Sequence, residues 1–369
     1  MGTVIPVVFY TFFVIIDNVK QCFLYSENIP LSDLSEPVSL LKPIKGFNEF
    51  TLSNYNSWIN QDNRNSQPIE YIFSFDEGDP GIEITKEVPY DDKVVLVNPI
   101  IEGFTGKMSA LVYGLRQSSH DLVVFSDGDT RAQSDTLSKI MGQFDNGADI
   151  VTCLAVYNTA KNMWGRLYAS IWNLAEIGVV GASIIRSGDQ VVGNTFALYK
   201  KTLDKIGGLE KYGDFIAEDI AIGMSAYEAG LSVMLGPLIE SPVGEMSFSD
   251  LMNKYSRAAL YAIEVRGLRN NWQFVFLYSY LLVLLPPVIL FDRDIIWVSF
   301  VLALGRLGFA SYLWFVTIGE KRILAECFLG DMLFIWTYIR SFIFKVAIWS
   351  GIKYRVDSSG RINKKKLIK

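Results

Sequence analysis

The sequence predicts an α/β domain built on a mainly parallel sheet and tied to a membrane by apolar segments on both sides. Three observations predict it. Strand-like runs alternate with helical patterns between residues 37 and 236. The stretch "QFVFLYSYLLVLLPPVILF" (273–291) is uncharged and long enough to cross the roughly 30 Å hydrocarbon core as a helix. Half of the 369 residues are hydrophobic, which is high for a soluble chain of this length.

Taken in order, the first element is an N-terminal membrane anchor over residues 1–26. Its core "VIPVVFYTFFVII" runs into Asp17 and Lys20, so it is either a span continuing to Tyr25 or an interfacial helix. A cleaved signal peptide is disfavoured, because a positive start and a small-residue cleavage site are missing.

The α/β domain follows over residues 35–265. Its expected strands are "PVSLLKPI" (37–44), "IEYIFSFD" (69–76), "KVVLVNP" (93–99), "DLVVFSD" (121–127), "ADIVTCLAVY" (148–157), "TFALYK" (195–200) and "LSVMLG" (231–236). Helical patterns include "GKMSALVYGLRQS" (106–118), with Met108, Leu111, Val112 and Leu115 on one face, and "AEDIAIGMSAYEAG" (217–230), which ends on a C-cap glycine. Ser247 and Asp250 form a capping box, so a further helix is expected to start near Phe248.

Residues 271–320 read as a transmembrane hairpin. Its second arm, "IIWVSFVLALGRLGFASYLWFVTI" (295–318), contains Arg306, which costs about 3 kcal/mol at the bilayer centre, but each Leu, Ile, Val or Phe returns roughly 0.3–0.6 kcal/mol. The last part, 321–369, holds an apolar stretch (323–350) with Glu326, Asp331, Arg340 and Lys345, which suits a helix lying in the interface, and then a basic tail.

Charge orients this arrangement. Residues 27–260 carry about 18 Lys+Arg against 31 Asp+Glu, whereas 266–369 carry about 15 against 6. The tail, Arg266 and Arg269, and Lys321 and Arg322 fall on one side if 323–350 does not cross. The positive-inside rule makes that side cytoplasmic, with the acidic domain on the same face of an integral membrane protein. The acidity argues against a nucleic-acid partner. Cys22, Cys153 and Cys327 give neither a disulfide framework nor a zinc pattern.

In a twisted, mainly parallel sheet, ligands bind beyond the carboxyl ends of strands. Asp76 in "FSFDEGDP" and the pair Asp127/Asp129 in "FSDGDT" stand at such ends, and Asp219 lies in "IAEDIA". Two carboxylates spaced D-x-D repel each other unless a cation sits between them. With open positions they suit Mg²⁺ or Mn²⁺ held against a diphosphate. Each acid also has an ordinary reading: a solvated turn for D-x-D and for Asp76, and a helix-start residue for Asp219.

The order of these strings resembles the ceramide glucosyltransferase-like branch of inverting glycosyltransferases with the GT-A fold, a Rossmann-like arrangement. The resemblance runs from about Pro37 to Arg257 and again near the C-terminus. "SLLKPIKG" (39–46), containing Pro43 and Lys45, looks like that branch's opening strand and "KPLKG" turn. "FSFDEGDP" is similar to the motif whose acid reads the uridine, and "TGKMSAL" to the turn that bears Lys107. "VFSDGDTRAQSDTL" resembles the metal-binding segment. "GNTFALYKKTLDKIGGL" is similar to the loop and helix framing the acceptor pocket, and "FIAEDIAIG", with Glu218 and Asp219, to the motif whose aspartate is the catalytic base.

The family's (Q/R)xxRW motif has "KYSRA" as its counterpart, with Lys254 and Arg257 three residues apart on one helix face. Ala258 stands where the motif has tryptophan, and the family's histidine upstream of the acceptor loop is absent. The only histidine, His120, reads as a turn residue. "IWSGIKYRV" (348–356) looks like the family's aromatic and basic tail, which also reads as an interface anchor.

The resemblance implies a UDP-sugar donor, with UDP-glucose as precedent, bound by Asp76, Lys107, Asp127, Lys254, Arg257, Pro43 and Lys45. It also implies Mg²⁺ or Mn²⁺ at Asp129 and Asp127, Asp219 as base, and a membrane-lipid acceptor. Ceramide is the precedent, and the departures at Ala258 and the missing histidine make a diacyl- or dialkylglycerol equally open. A processive polysaccharide synthase, a polyprenyl-phosphate glycosyltransferase and a non-catalytic membrane scaffold of the same fold are the alternatives.

Overall fold

The computed structural model describes residues 17–33, 36–62, 67–88, 93–261, 324–349 and 352–362. The expected hairpin, most of the N-terminal anchor and the final lysines lie outside them. The chain divides into two compact units. One comprises residues 21–156 and 179–242, and the other 1–20, 157–178 and 243–369.

The first unit is built on seven strands: β1 (Val38–Ile44), β2 (Ile69–Asp76), β3 (Lys93–Asn98), β4 (Leu122–Ser126), β5 (Ile150–Cys153), β6 (Thr195–Tyr199) and β7 (Val233–Leu235). Their order across the sheet is β3-β2-β1-β4-β6-β5-β7. The pairs β1–β2, β1–β4, β2–β3 and β5–β7 are parallel, while β6 runs antiparallel to both β4 and β5. The fold is therefore mixed α/β with a mainly parallel sheet. The middle strands are β-branched and aromatic runs buried on both faces, as expected when crossover helices cover a parallel sheet.

Five helices carry or support the residues of interest: α1 (Gly106–Gln117), α2 (Met163–Asn173), α3 (Glu218–Glu228), α4 (Phe248–Tyr261) and α5 (Leu324–Phe344). In α1, Thr105 caps the first turn by accepting from Met108 N–H, and Met108, Leu111 and Val112 enter the core with Leu41, Ile72, Phe125 and Phe196. Helix α3 is followed by Gly230 at φ +68°, the left-handed position expected of a glycine closing a helix. Ser247 and Asp250 form the expected box ahead of α4, with the Ser247 hydroxyl accepting from Asp250 N–H at 3.1 Å.

Two elements differ from expectation. The run 148–157 breaks at Leu154, so that Ala155–Ala160 leaves the large sheet and pairs with Ile239–Gly244. A helical run, Met163–Ser187, is the one helix among the described residues long and apolar enough to cross a membrane, and 61% of its apolar window is buried inside the protein.

Candidate active site

Sheet topology gathers the site. Strands β1, β2 and β4 run parallel, so Ile44, Asp76 and Ser126 end at one edge of the sheet. Because β6 is antiparallel to β4, its start lies at that same edge: Thr195 pairs with Ser126, and Asp127 N–H donates to the Asn194 carbonyl at 2.9 Å. The loop before β6 is thereby brought to the D-x-D turn.

Lys107, at the second position of α1, is the hub. Its ammonium lies 2.7 Å from Asp127 Oδ1, 2.9 Å from Glu218 Oε1 and 3.3 Å from the Gly193 carbonyl. Asp219 is held from two sides: Gly193 N–H donates to Oδ2 at 2.7 Å and Ile220 N–H donates to Oδ1 at 2.9 Å. A Cβ on Gly193 would stand 2.9 Å from Asp219 Oδ2 and 3.1 Å from Lys107 Nζ, so a methyl there would push both side chains from their present positions.

The electrostatics follow from this crowding. Burial, then the charge of Glu218, pushes the Asp219 carboxyl up to about 6, with Lys107 and the two backbone donors pulling the other way. Asp127 is likewise pushed up to about 6 by burial; Lys107 opposes this, while Asp129 and Glu218 add to it. Burial alone would lower Lys107, but the attraction of Asp127, Glu218 and Asp219 outweighs it and holds the ammonium far above the ordinary lysine range.

Beneath the D-x-D turn lies a residue that sequence reasoning passed over. Lys42 of β1 is 1% exposed. Its ammonium donates to the Asp127 carbonyl at 2.8 Å, Ser126 Oγ at 2.9 Å and Thr130 Oγ1 at 3.3 Å, and it lies 5.2 Å from the centre of the Trp58 ring. Burial pulls it down to about 7 against the charges of Asp127 and Asp129. The backbone of Pro43 abuts the same turn, its carbonyl 3.3 Å from where a Gly128 Cβ would stand.

Asp76 ends β2, 3.4 Å from the exposed ammonium of Lys45. Its carboxylate stands by Gly106 at the start of α1, where the helix dipole favours an anion. Asp79, another residue that sequence reasoning did not single out, ties the turn carrying Lys45: its two oxygens accept from Gly46 N–H at 2.9 and 2.8 Å. Asp129 is exposed at the tip of the turn.

Among the predicted site residues, the structure thus brings Asp127, Lys107, Glu218 and Asp219 into one contact network, with Asp76 and Lys45 paired at the end of β2. Glu218, expected beside the base as a catalytic group, is buried as a counter-ion to Lys107. Lys254 and Arg257 belong to the other unit, on α4. There the Lys254 ammonium sits 4.6 Å from the centre of the Tyr168 ring, and Tyr255 donates to the Leu167 carbonyl at 3.1 Å.

Four carboxyls (Asp127, Asp129, Glu218, Asp219) accompany two ammonium groups (Lys107, Lys42), an excess of negative charge that suits a cation. Among the described residues no group of three or more His, Cys, Asp or Glu side chains converges to hold a metal ion alone. Two carboxylates, with the remaining positions open to phosphate oxygens and water, are the donor set that Mg²⁺ or Mn²⁺ accepts.

Across residues 2–362 the sequence matches the profile of glycosyl transferase family 21. The chain belongs to that family. It is a family 21 glycosyltransferase whose match reaches into both units. Among solved structures it is similar to a mannosyltransferase from Pyrobaculum calidifontis in complex with GDP-Man and Mn²⁺, at 12% identity over 92% of this chain and 99% of that one, with a TM-score of 0.47. A mycobacterial protein is similar at 15% identity over 65% of this chain and 76% of that one, with a TM-score of 0.36. The assignment to family 21 rests on the profile match and not on these two likenesses.

Proposed function

We propose that this glycosyltransferase moves a hexose from a UDP-sugar, UDP-glucose first among them, to a hydroxyl of a membrane lipid, with inversion at the anomeric carbon. The observation that carries the reading is the meeting of Asp127, Lys107, Glu218 and Asp219 at the carboxyl edge of the sheet.

Asp219 acts as the base. Its carboxyl, pushed up to about 6, is ionised at neutral pH yet basic enough to take a proton, and the donors from Gly193 and Ile220 fix its orientation. Lys107 places a cation between the base and Asp127, where negative charge grows on a departing diphosphate. Glu218 keeps that ammonium in place. Asp76 and Lys45 take the uracil end of the donor. A divalent ion held by Asp129 and Asp127 would neutralise the leaving nucleotide.

One base and a single displacement suffice, because the hydroxyl attacks opposite the leaving group and both partners are oriented in advance. The test supplies radiolabelled UDP-glucose with total membrane lipid to the full chain in detergent, with and without EDTA, and identifies the product by mass spectrometry. An EDTA-sensitive lipid glycoside stable to mild acid is expected, and Asp219→Asn should abolish it while UDP-glucose still binds. A product labile to mild acid would mark a polyprenyl phosphate acceptor and overturn the acceptor class. Transfer by Asp219→Asn would overturn the base.

A further inference from the structure

The two helices that carry the ionic core of the site also meet just upstream of it. Lys107 opens α1, Glu218 and Asp219 open α3, and both helices are entered through segments of the first unit that touch at Phe104 and Gly213. The outer half of the Phe104 ring lies face-on against Gly213: a Cβ there would stand 2.4 Å from each of three ring carbons. Beside it, Thr105 N–H donates to the Gly213 carbonyl at 2.9 Å, while the buried Thr105 hydroxyl accepts from Met108 N–H as the cap of α1.

Gly213 has φ −58°, a right-handed value open to any L-residue, so what a side chain would meet there is the ring and not backbone strain. Phe104 is itself held from behind, packed on the core cluster that contains Met108, Leu209 and Tyr212. The tethers to the site are short. Lys107 comes two residues after Thr105, and Glu218 five residues after Gly213, so a shift at the contact passes directly to the ammonium and the carboxyls. Farther along α1, Arg116 pairs with Glu210 at 3.3 Å, but the two side chains are 55 and 48% exposed and such a pair adds little. The ring and the Thr105 bond therefore fix the register of the two segments.

We propose that the contact of Phe104 with Gly213 is a latch that sets where Lys107 stands relative to Glu218 and Asp219, which makes Phe104 and Gly213 positioning residues for sugar transfer. Its effect on turnover rests on the reading of Asp219 as the base; its effect on Lys107 does not.

The experiment compares the full wild-type chain in detergent with Gly213→Ala, Phe104→Ala and the double variant. The first readout needs no turnover: brief acetylation by an N-hydroxysuccinimide ester, measured by peptide mass spectrometry at Lys107 relative to Lys86, whose side chain is 69% exposed. In the wild type the ion pairs to Asp127 and Glu218 keep Lys107 unreactive. Gly213→Ala should raise the ratio of Lys107 to Lys86 labelling at least threefold and lower kcat at least tenfold, with donor KM changed less than threefold. Adding Phe104→Ala, which removes the ring that the methyl meets, should return both values at least halfway to wild type, a recovery that general loss of fold would not give. An unchanged ratio in Gly213→Ala, or a double variant no closer to wild type than the single one, would overturn the latch, and raised labelling with unchanged kcat would overturn the positioning role. If Gly213→Ala does not fold, Phe104→Ala alone decides, with a labelling ratio raised at least twofold expected and an unchanged one contradicting the proposal. A wild-type chain that transfers no sugar would count against the proposed reaction, while the labelling ratio would still decide the latch.

Discussion

Lys107→Met isolates the electrostatic logic of the site. The variant keeps the length of the side chain and removes the ammonium that touches both Asp127 and Glu218. Breaking a buried ion pair from one side costs about 3–5 kcal/mol; Asp127 is 27% exposed, so solvent relieves part of this and the loss should be about 3 kcal/mol at pH 7.5. For the first unit unfolding cooperatively, that corresponds to a Tm lower by roughly 6–12 °C. Over pH 5–8 the wild-type ammonium stays charged, because its pKa is held above the ordinary lysine range.

The pH dependence therefore comes from the acids. Asp127 and Asp219 have values raised to about 6, so their contribution to stability is fully present below the unfolded carboxylate value and is lost as pH rises through about 6. At pH 5 two of the three acids facing position 107 are protonated, and the penalty of Lys107→Met should shrink by about half. Thermal unfolding followed by tryptophan fluorescence at the two pH values measures this, and adding Glu218→Gln should recover part of the loss at pH 7.5. A penalty that is equal at both pH values, or no recovery in the double variant, would refute the reasoning.

The remaining predictions concern turnover and folding. The acid limb of kcat/KM should fall near pH 6, with activity rising as Asp219 loses its proton, and initial rates across pH 4.5–8 would show it. Gly193→Ala should lower kcat at least tenfold with less change in KM for the donor, because the added methyl displaces Asp219 and Lys107; steady-state kinetics would separate the two. Lys42→Met should destabilise the fold by about 1–3 kcal/mol, since it removes a charged donor from the Ser126, Thr130 and Asp127 carbonyl cluster, whose remaining bonds are to one another and to Thr195, as denaturation would reveal.

Much of the first unit was legible because its signals are local. Apolar, β-branched runs bounded by turn residues mark β1, β2 and β4, and the Ser247–Asp250 pair marks the start of α4. The Met163–Ser187 run was not, since a mostly buried helix is apolar around much of its circumference and shows little 3.6-residue contrast. Period-2 alternation likewise does not tell which sheet a strand joins, so the break at Leu154 stayed hidden.

Within the site, legibility followed sequence distance. Asp76, Asp127, Asp129 and Asp219 stand in recognisable strings. Lys42 draws its role from partners 84 to 88 residues away, and the steric need at Gly193 arises from Asp219, 26 residues on, and Lys107, 86 residues back. One signal for Lys42 was present: a lysine inside "VSLLKPI", an otherwise apolar run, calls for buried partners.

The most direct test of the account is calorimetric titration of UDP into the wild-type chain and into Asp129→Asn, each with and without Mn²⁺. Saturable heat that requires Mn²⁺ in the wild type, and weakens at least tenfold in the variant, is the predicted result. Binding that is indifferent to both the metal and Asp129, or no heat under any condition, would contradict it.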